Sequence, residues 1–124
     1  MTTFVRAEPQ LFVRDLGASL EFYTRRLGFT VAFTYGEPPF YGQIVRGGAR
    51  LNLRVVDMPP FATRPSENEQ LLAASVALDD AAPLFEDYHR AGVEFVQPLR
   101  TEPWGARTFI VGDPDGNLIL FAGS

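Results

Sequence analysis

WGARTFIVGDPDGNLILF, residues 104–121, reads as a strand, a tight turn and a strand, and the rest of the chain can be placed from it. Residues 107–111 and 117–121 are rich in β-branched, aromatic and aliphatic side chains, and Asp113-Pro114-Asp115-Gly116 between them carries turn chemistry. Pro114 presets its φ near about −65°, and Gly116 takes positive φ without a clash at Cβ, so the chain must reverse there. At the entrance to this hairpin stands an aromatic residue, Trp104, behind a proline.

Upstream of the hairpin, residues 71–78 read as a strand, 81–91 as a helix and 93–99 as another strand. Asp79-Asp80 offers the helix a cap, and Pro83 is tolerated in the first turn, where its missing N–H leaves no helical bond unmade. Ala81, Leu84, Tyr88 and Ala91 form the expected core face, and Gly92 the stop. The first half runs in the same order. Residues 4–13 read as a strand, Asp15 as an N-cap, and Leu16, Leu20, Tyr23 and Leu27 recur along one helical face that Gly28 ends. Residues 29–35, 40–45 and 50–56 are then strands, joined by a loop over 36–39 and a turn at Gly47-Gly48. In the last strand Leu51, Leu53 and Val55 take one face, and Arg50, Asn52 and Arg54 the other. Residues 57–70, with Pro59, Pro60 and Pro65, read as a linker.

One constant offset lays Asp15 on Asp79, Leu20 on Leu84, Arg26 on Arg90, Gly28 on Gly92 and Pro39-Phe40 on Pro103-Trp104. Such a repeat predicts an α+β protein built as two tandem βαβββ modules, residues 4–56 and 71–122, within a single domain over 1–124. Its 124 residues suffice for one core. A net charge of −4 and a pI near 4.9 argue against nucleic-acid binding, which needs a basic stripe for phosphates. The chain has no cysteine, hence no disulfide framework, thiolate metal site or cysteine nucleophile. No signal peptide is apparent at the start, and no apolar run approaches the ~20 residues of a membrane helix, so a cytoplasmic protein is expected.

A duplicated βαβββ unit with DLGASLEFYTRRLGF in the first copy and WGARTFIVGDPDGNLILF in the second resembles the vicinal oxygen chelate superfamily. That group includes glyoxalase I, extradiol dioxygenases, fosfomycin-modifying enzymes and the bleomycin resistance proteins. The resemblance implies sheets curved into a cup and a homodimer with sites near the subunit interface. It also implies that each module of the enzymes gives a metal ligand from its first strand and another from its last. Counted along this chain, those positions are Glu8, Leu72 or Ala73, Asn52 and Leu120. Only Glu8 is a competent donor, so no metal and no other cofactor is expected. The lone His89 sits on a helix beside Arg90 and is expected to face solvent.

Without a metal, the cup is lined by what the strands turn inward. Glu8 and Asn52 bring Gln10, Phe12 and Arg54 with them by alternation, and Leu118 comes in beside Leu120. Phe33, Tyr35, Phe40, Tyr41 and Trp104 surround these. Phe33 on a strand also fits an ordinary core position, whereas Phe40 and Trp104, each behind a proline at matching loop ends, fit a stacking platform. Arg54, with Arg50 and Arg107, could bring positive charge or pair with Glu8. The bleomycin resistance proteins are the nearest parallel, through Trp104-Gly105 before the DPDG turn and through Pro9-Gln10-Leu11-Phe12-Val13-Arg14-Asp15. The resemblance therefore implies a metal-free binder that sequesters a planar, partly apolar small molecule. Trp104 and Phe40 would stack on it, and Glu8, Gln10 and Asn52 would anchor its polar groups. Two other readings stand beside it. One is an enzyme with a weak divalent site at Glu8, or with Glu8 as a general base whose pKa an apolar cup raises. The other is an accessory domain whose cup is filled by its own side chains.

Overall fold

The computed structural model describes residues 1–57 and 71–124. The linker expected over 57–70 lies outside them, apart from Asp57. In chain order the elements are β1 (Gln10–Val13), α1 (Leu16–Glu21) continued by a π-helical turn (Phe22–Arg26), β2 (Thr30–Tyr35), β3 (Tyr41–Arg46) and β4 (Ala49–Val55). They continue with β5 (Leu72–Ala77), α2 (Ala81–Arg90), β6 (Phe95–Thr101), β7 (Arg107–Gly112) and β8 (Leu118–Gly123). Two four-stranded mixed sheets result, ordered β1-β4-β3-β2 and β5-β8-β7-β6, so the α+β architecture has the same plan in both halves. In each, the first strand lies parallel to the last and the other pairs are antiparallel. No described helix is long and apolar enough to cross a membrane.

One face of each sheet packs on its helix. Leu16, Tyr23 and Leu27 are buried at the predicted spacing, against Leu51 and Leu53 of β4 and Ile44 of β3. The second half adds an aromatic cluster: Phe109 stacks on Phe121 at 5.0 Å, and Tyr88 meets both edge-on. The hairpin turn does more than reverse the chain. Asp113 is buried, and its carboxylate accepts from the backbone N–H groups of Asp115 and Asn117, the Asn117 amide and the Tyr23 hydroxyl of the other half, the last at 2.9 Å. Asn117 donates across to the Phe12 carbonyl, and Tyr88 to that of Leu27. Burial pushes the Asp113 carboxyl above its ordinary range despite these donors, and pushes the Tyr23 hydroxyl far up.

Two expectations need correction, and one choice that the sequence leaves open, the cap of α2, is decided. The strand expected over 4–13 is ordered as a strand only from Gln10. Pro9 has no N–H to give a ladder, although its carbonyl still accepts from Asn52, and Phe4 upstream is 96% exposed. The second helix is capped by Asp80, whose side chain accepts from Ala82, and not by Asp79, the partner of Asp15 under a constant offset. Cap-to-glycine spacing is therefore one residue longer in the first half, Asp15 to Gly28, than in the second, Asp80 to Gly92. The π turn absorbs that extra residue, because a π turn holds one residue more than an α turn. Ala91, expected on the core face, is exposed at the helix cap, beyond the last periodic contact at Tyr88.

Candidate functional site

The face of the first sheet turned away from α1 collects most of the predicted site. Register places Gln10, Asn52, Gln43 and Phe33 in one row across the strands and Phe12, Arg54, Tyr41 and Tyr35 in the next. Phe33 is 46% exposed, which overturns its reading as core: among the described residues no second layer packs on this face. Phe33 and Tyr41 lie 6.2 Å apart between ring centres, and Tyr35 meets Phe40 edge-on at 5.8 Å. Phe40 is seated over Gly36, whose φ is +106° and where a methyl group would run into the Phe40 ring. These rings form one aromatic ledge.

Beside the ledge runs a polar network that is already satisfied. Arg6 Nε donates to Glu8 Oε2 at 2.7 Å, while Gln43 Nε2 at 3.0 Å and Asn52 Nδ2 at 3.4 Å donate to Oε1. Gln43 Nε2 also reaches Asn52 Oδ1 at 2.9 Å, and Arg50 donates to Gln43 Oε1 at 3.0 Å. Gln10 bonds the Tyr41 hydroxyl at 3.3 Å. The ion-pair partner of Glu8 is thus Arg6, and not Arg54, Arg50 or Arg107. That hydrogen bond, outweighing partial burial and helped by Asn52, holds the Glu8 carboxyl below its usual value. The shift is opposite to what a general base raised by an apolar cup requires, so that expectation is corrected. Gln43 is the centre of the network and was not singled out from the sequence, although counting back from Gly47-Gly48 places it opposite Asn52.

At the positions where the enzymes of this fold hold a divalent ion, the residues do not fit one. The Glu8 oxygens and the Asn52 amide are engaged with Arg6, Gln43 and each other, and Leu72, Ala73 and Leu120 offer no donor. Among the described residues no group of three or more His, Asp or Glu side chains is placed to hold a metal. His89 is exposed, its ring stacked on Phe85.

The equivalent face of the second sheet is different. Ser75, Leu120, Ile110 and Gln97 share its central row. Gln97 donates to the Thr108 hydroxyl at 3.0 Å, Thr108 to Glu102 Oε1 at 2.9 Å, and Arg100 Nε to the same oxygen at 2.7 Å. Those bonds hold the Glu102 carboxyl below its usual value. None of the four was picked out from the sequence, although Thr108 is a polar interruption of an apolar strand. Glu102 opens the turn that carries Trp104, closed by Glu102 N–H to the Ala106 carbonyl and Gly105 N–H to the Glu102 carbonyl. Trp104 is 75% exposed and has no ring partner among the described residues, so within one chain the two predicted platforms, Phe40 and Trp104, stand on separate sheets.

A larger cleft, about 1240 Å³, lies elsewhere. It runs between the β3–β4 hairpin and β5 with α2, past Arg46, Ala49, Ser75, Asp79 and Tyr88, and of the residues considered for the site it is lined by Arg50 alone. It lacks an exposed aromatic surface, since Tyr88 and Phe121 at its floor are committed to the core. The ledge and the Trp104 turn are the better candidate on chemistry, though each is open on one side.

A family model described as the glyoxalase/bleomycin resistance protein/dioxygenase superfamily matches residues 4–121, whereas no curated protein matches. Among solved structures, a bleomycin-binding protein from bleomycin-producing Streptomyces verticillus, complexed with copper(II)-bleomycin, is 27% identical, with 100% of this chain and 99% of that one covered and a TM-score of 0.78. A bleomycin resistance determinant encoded on the transposon Tn5 is 22% identical, with 98% of each chain covered and a TM-score of 0.78. TioX from Micromonospora sp. ML1 is 21% identical over 97% of this chain and 98% of its own, with a TM-score of 0.77. The last two likenesses speak for the fold alone. With a family model spanning nearly the whole chain and two sheets of one strand order, the chain belongs to the glyoxalase/bleomycin resistance protein/dioxygenase superfamily.

Proposed function

We propose that this chain is a small-molecule binder of the bleomycin-resistance type, acting as a homodimer without metal or other cofactor. The ledge of one chain and the Trp104 turn of the other form the walls of its site. The ligand is planar and partly apolar: it stacks on Phe40 and Trp104, fills space beside Phe33, Tyr35 and Tyr41, and meets Glu8, Gln10, Asn52 and Arg54 at its polar edge. The observation that carries this reading is the exposed ledge of Phe33, Tyr35 and Phe40 bordering a polar network held rigid by its own bonds. Few polar groups, well placed among aromatic rings, are how concave sites orient planar ligands. The likeness to the bleomycin-binding protein supports the class of ligand. Against a catalytic Glu8 stands its lowered pKa and its ion pair with Arg6.

The test is calorimetric titration with copper(II)-bleomycin and with metal-free bleomycin, on protein whose mass has been measured by sedimentation. Saturable binding to a dimer, weakened about tenfold or more by Trp104→Ala, is expected, since aromatic hot spots reach that size. Absence of binding to bleomycin and to a simple planar compound such as pyrenemethanol would contradict the reading.

A further inference from the structure

The arginines on the open face of the first sheet are used unequally. Arg6 is paired with the Glu8 carboxylate at 2.7 Å, and Arg50 donates to the neutral amide of Gln43. Arg54 is exposed, and among the described residues no carboxylate, Glu37 and Asp57 included, is within ion-pair distance of it and no acceptor takes its guanidinium. Register sets it directly between Phe12 of β1 and Tyr41 of β3, with Tyr35 next in the same row. One residue further on, the Val55 N–H donates to the Phe40 carbonyl, which ties this end of β4 to the residue that carries the platform ring. Arg107, by contrast, alternates with Thr108 and so belongs to the opposite face, that of Phe109 and Val111. Charge on the open face is therefore one-sided: Arg6, Arg50 and Arg54 stand against Glu8 alone.

We propose that Arg54 is the charge-selecting residue of the ledge and that the ligand of this chain is a planar aromatic acid, its carboxylate held by the Arg54 guanidinium while its rings lie along Tyr41, Tyr35 and Phe40. A guanidinium presents a fixed fork of N–H donors that matches the two oxygens of a carboxylate. No existing ion pair has to be broken for it to do so, whereas Arg6 and Arg100 are already taken by Glu8 and Glu102. Rings on either side exclude water from the flanks of the bond, and opposite charges attract more strongly as the local dielectric falls. The net charge of −4 does not forbid an anion here, because at about 0.15 M salt charges further off than about 8 Å are largely screened. Selection is thus local, set by the one free cation among the rings of this row.

The inference rests on the reading of the ledge as a binding wall, and two probes separate their failures: pyreneacetate and the neutral pyrenemethanol, each titrated calorimetrically into the full chain. The wild type should bind the acid about tenfold more tightly than the alcohol, the scale of one hydrogen bond between charged groups. Arg54→Gln should bring the two affinities together while leaving the alcohol's unchanged, and Arg54→Lys, which keeps the charge but gives up the fork, should retain part of the preference. Arg25→Gln removes the same charge from an exposed position on the first helix and should leave the preference as it is. Equal affinities in the wild type, a preference that survives Arg54→Gln or vanishes in Arg54→Lys, or an equal loss in Arg25→Gln would each overturn the proposal. Parallel loss of both probes in Arg54→Gln would overturn it too, leaving Arg54 as a residue that merely supports the ledge. If neither probe binds, the ledge is not a binding wall and the inference falls with that reading.

Discussion

The two sheets share one strand order but treat the same face in opposite ways. On the first sheet that face is polar and self-satisfied, with Arg6, Glu8, Gln43, Asn52 and Arg50 bonded in series beside an aromatic ledge. On the second it is apolar along Ile110, Leu118 and Leu120, with its polar residues gathered toward the Trp104 turn. Beneath, the shared core gains from the second half a cluster of stacked and edge-on rings, Phe85, Tyr88, Phe95, Phe109 and Phe121. Backbone plan and surface chemistry have thus been set independently. The former comes from caps, glycines and alternation, which both halves keep. The latter depends on which side chains the alternation happens to expose, and there the halves have diverged.

The largest effect should come from the aromatic core. Phe109→Ala removes a fully buried ring that touches Phe85, Tyr88, Phe95 and Phe121, and should destabilise the chain by about 3–5 kcal/mol in urea unfolding. If the halves fold as one unit, Trp104 fluorescence and far-ultraviolet dichroism will report one shifted transition. Two transitions would divide the molecule at the linker. The seam itself is probed by Tyr23→Phe, which deletes the hydroxyl donated to buried Asp113 and should lower stability by about 1–3 kcal/mol. A change within error would mean that Asp113 is satisfied by its own turn.

How far these contrasts could be read in advance varied with the range of the interaction. DPDG between two apolar runs sufficed for β7 and β8, and the spacing of Leu16, Tyr23 and Leu27 sufficed for a buried helical face, because both signals are local. The choice between Asp79 and Asp80 as cap stayed open in the sequence because the two are chemically equivalent, and only the bond from Ala82 N–H to Asp80 decides which one begins the helix. Residues 4–9 carry strand-like side chains but no strand, since the ladder with β4 stops at Pro9. On the first sheet, alternation sufficed to put Gln10, Phe12 and Arg54 on one face with Asn52, as the register of β1 and β4 has them. Gln43 required the register across a hairpin, and Glu102 was hidden in a turn read only for its tryptophan. The saturation of Glu8 by Arg6 lies in a segment without regular structure, where no periodicity points.

Acid titration acts more gently, alike at the two walls and in the opposite sense at the hairpin turn between β7 and β8. Glu8 and Glu102 bind protons less readily in the folded chain than at the ordinary 4.5, so the stability they contribute is complete above that pH and is lost as pH falls through their folded values. Asp113 acts in the opposite sense: its raised folded value means a contribution present in acid that fades as pH rises from the ordinary 3.8 through that value. Glu8→Gln and Glu102→Gln should each flatten the loss of stability on acidification, and Asp113→Asn should remove the opposing trend. A steeper acid loss in either glutamine variant would mean that the ion pairs with Arg6 and Arg100 do not form in solution. The smallest effect is expected from Gly36→Ala, which displaces the Phe40 ring and should weaken binding of a planar ligand a few-fold, about 1 kcal/mol or less, while leaving the Trp104 turn untouched.

The central claim, that the ledge and the Trp104 turn together form the binding site, is tested most directly by mapping amide and side-chain chemical shifts of the 13.8 kDa chain during titration with pyrenemethanol. The account predicts perturbation at Phe33, Tyr35, Phe40 and Tyr41 on one sheet and at Glu102, Trp104 and Thr108 on the other, rising together with ligand concentration. Perturbation confined to Arg46, Ala49, Ser75 and Asp79, along the cleft between the halves, would contradict it.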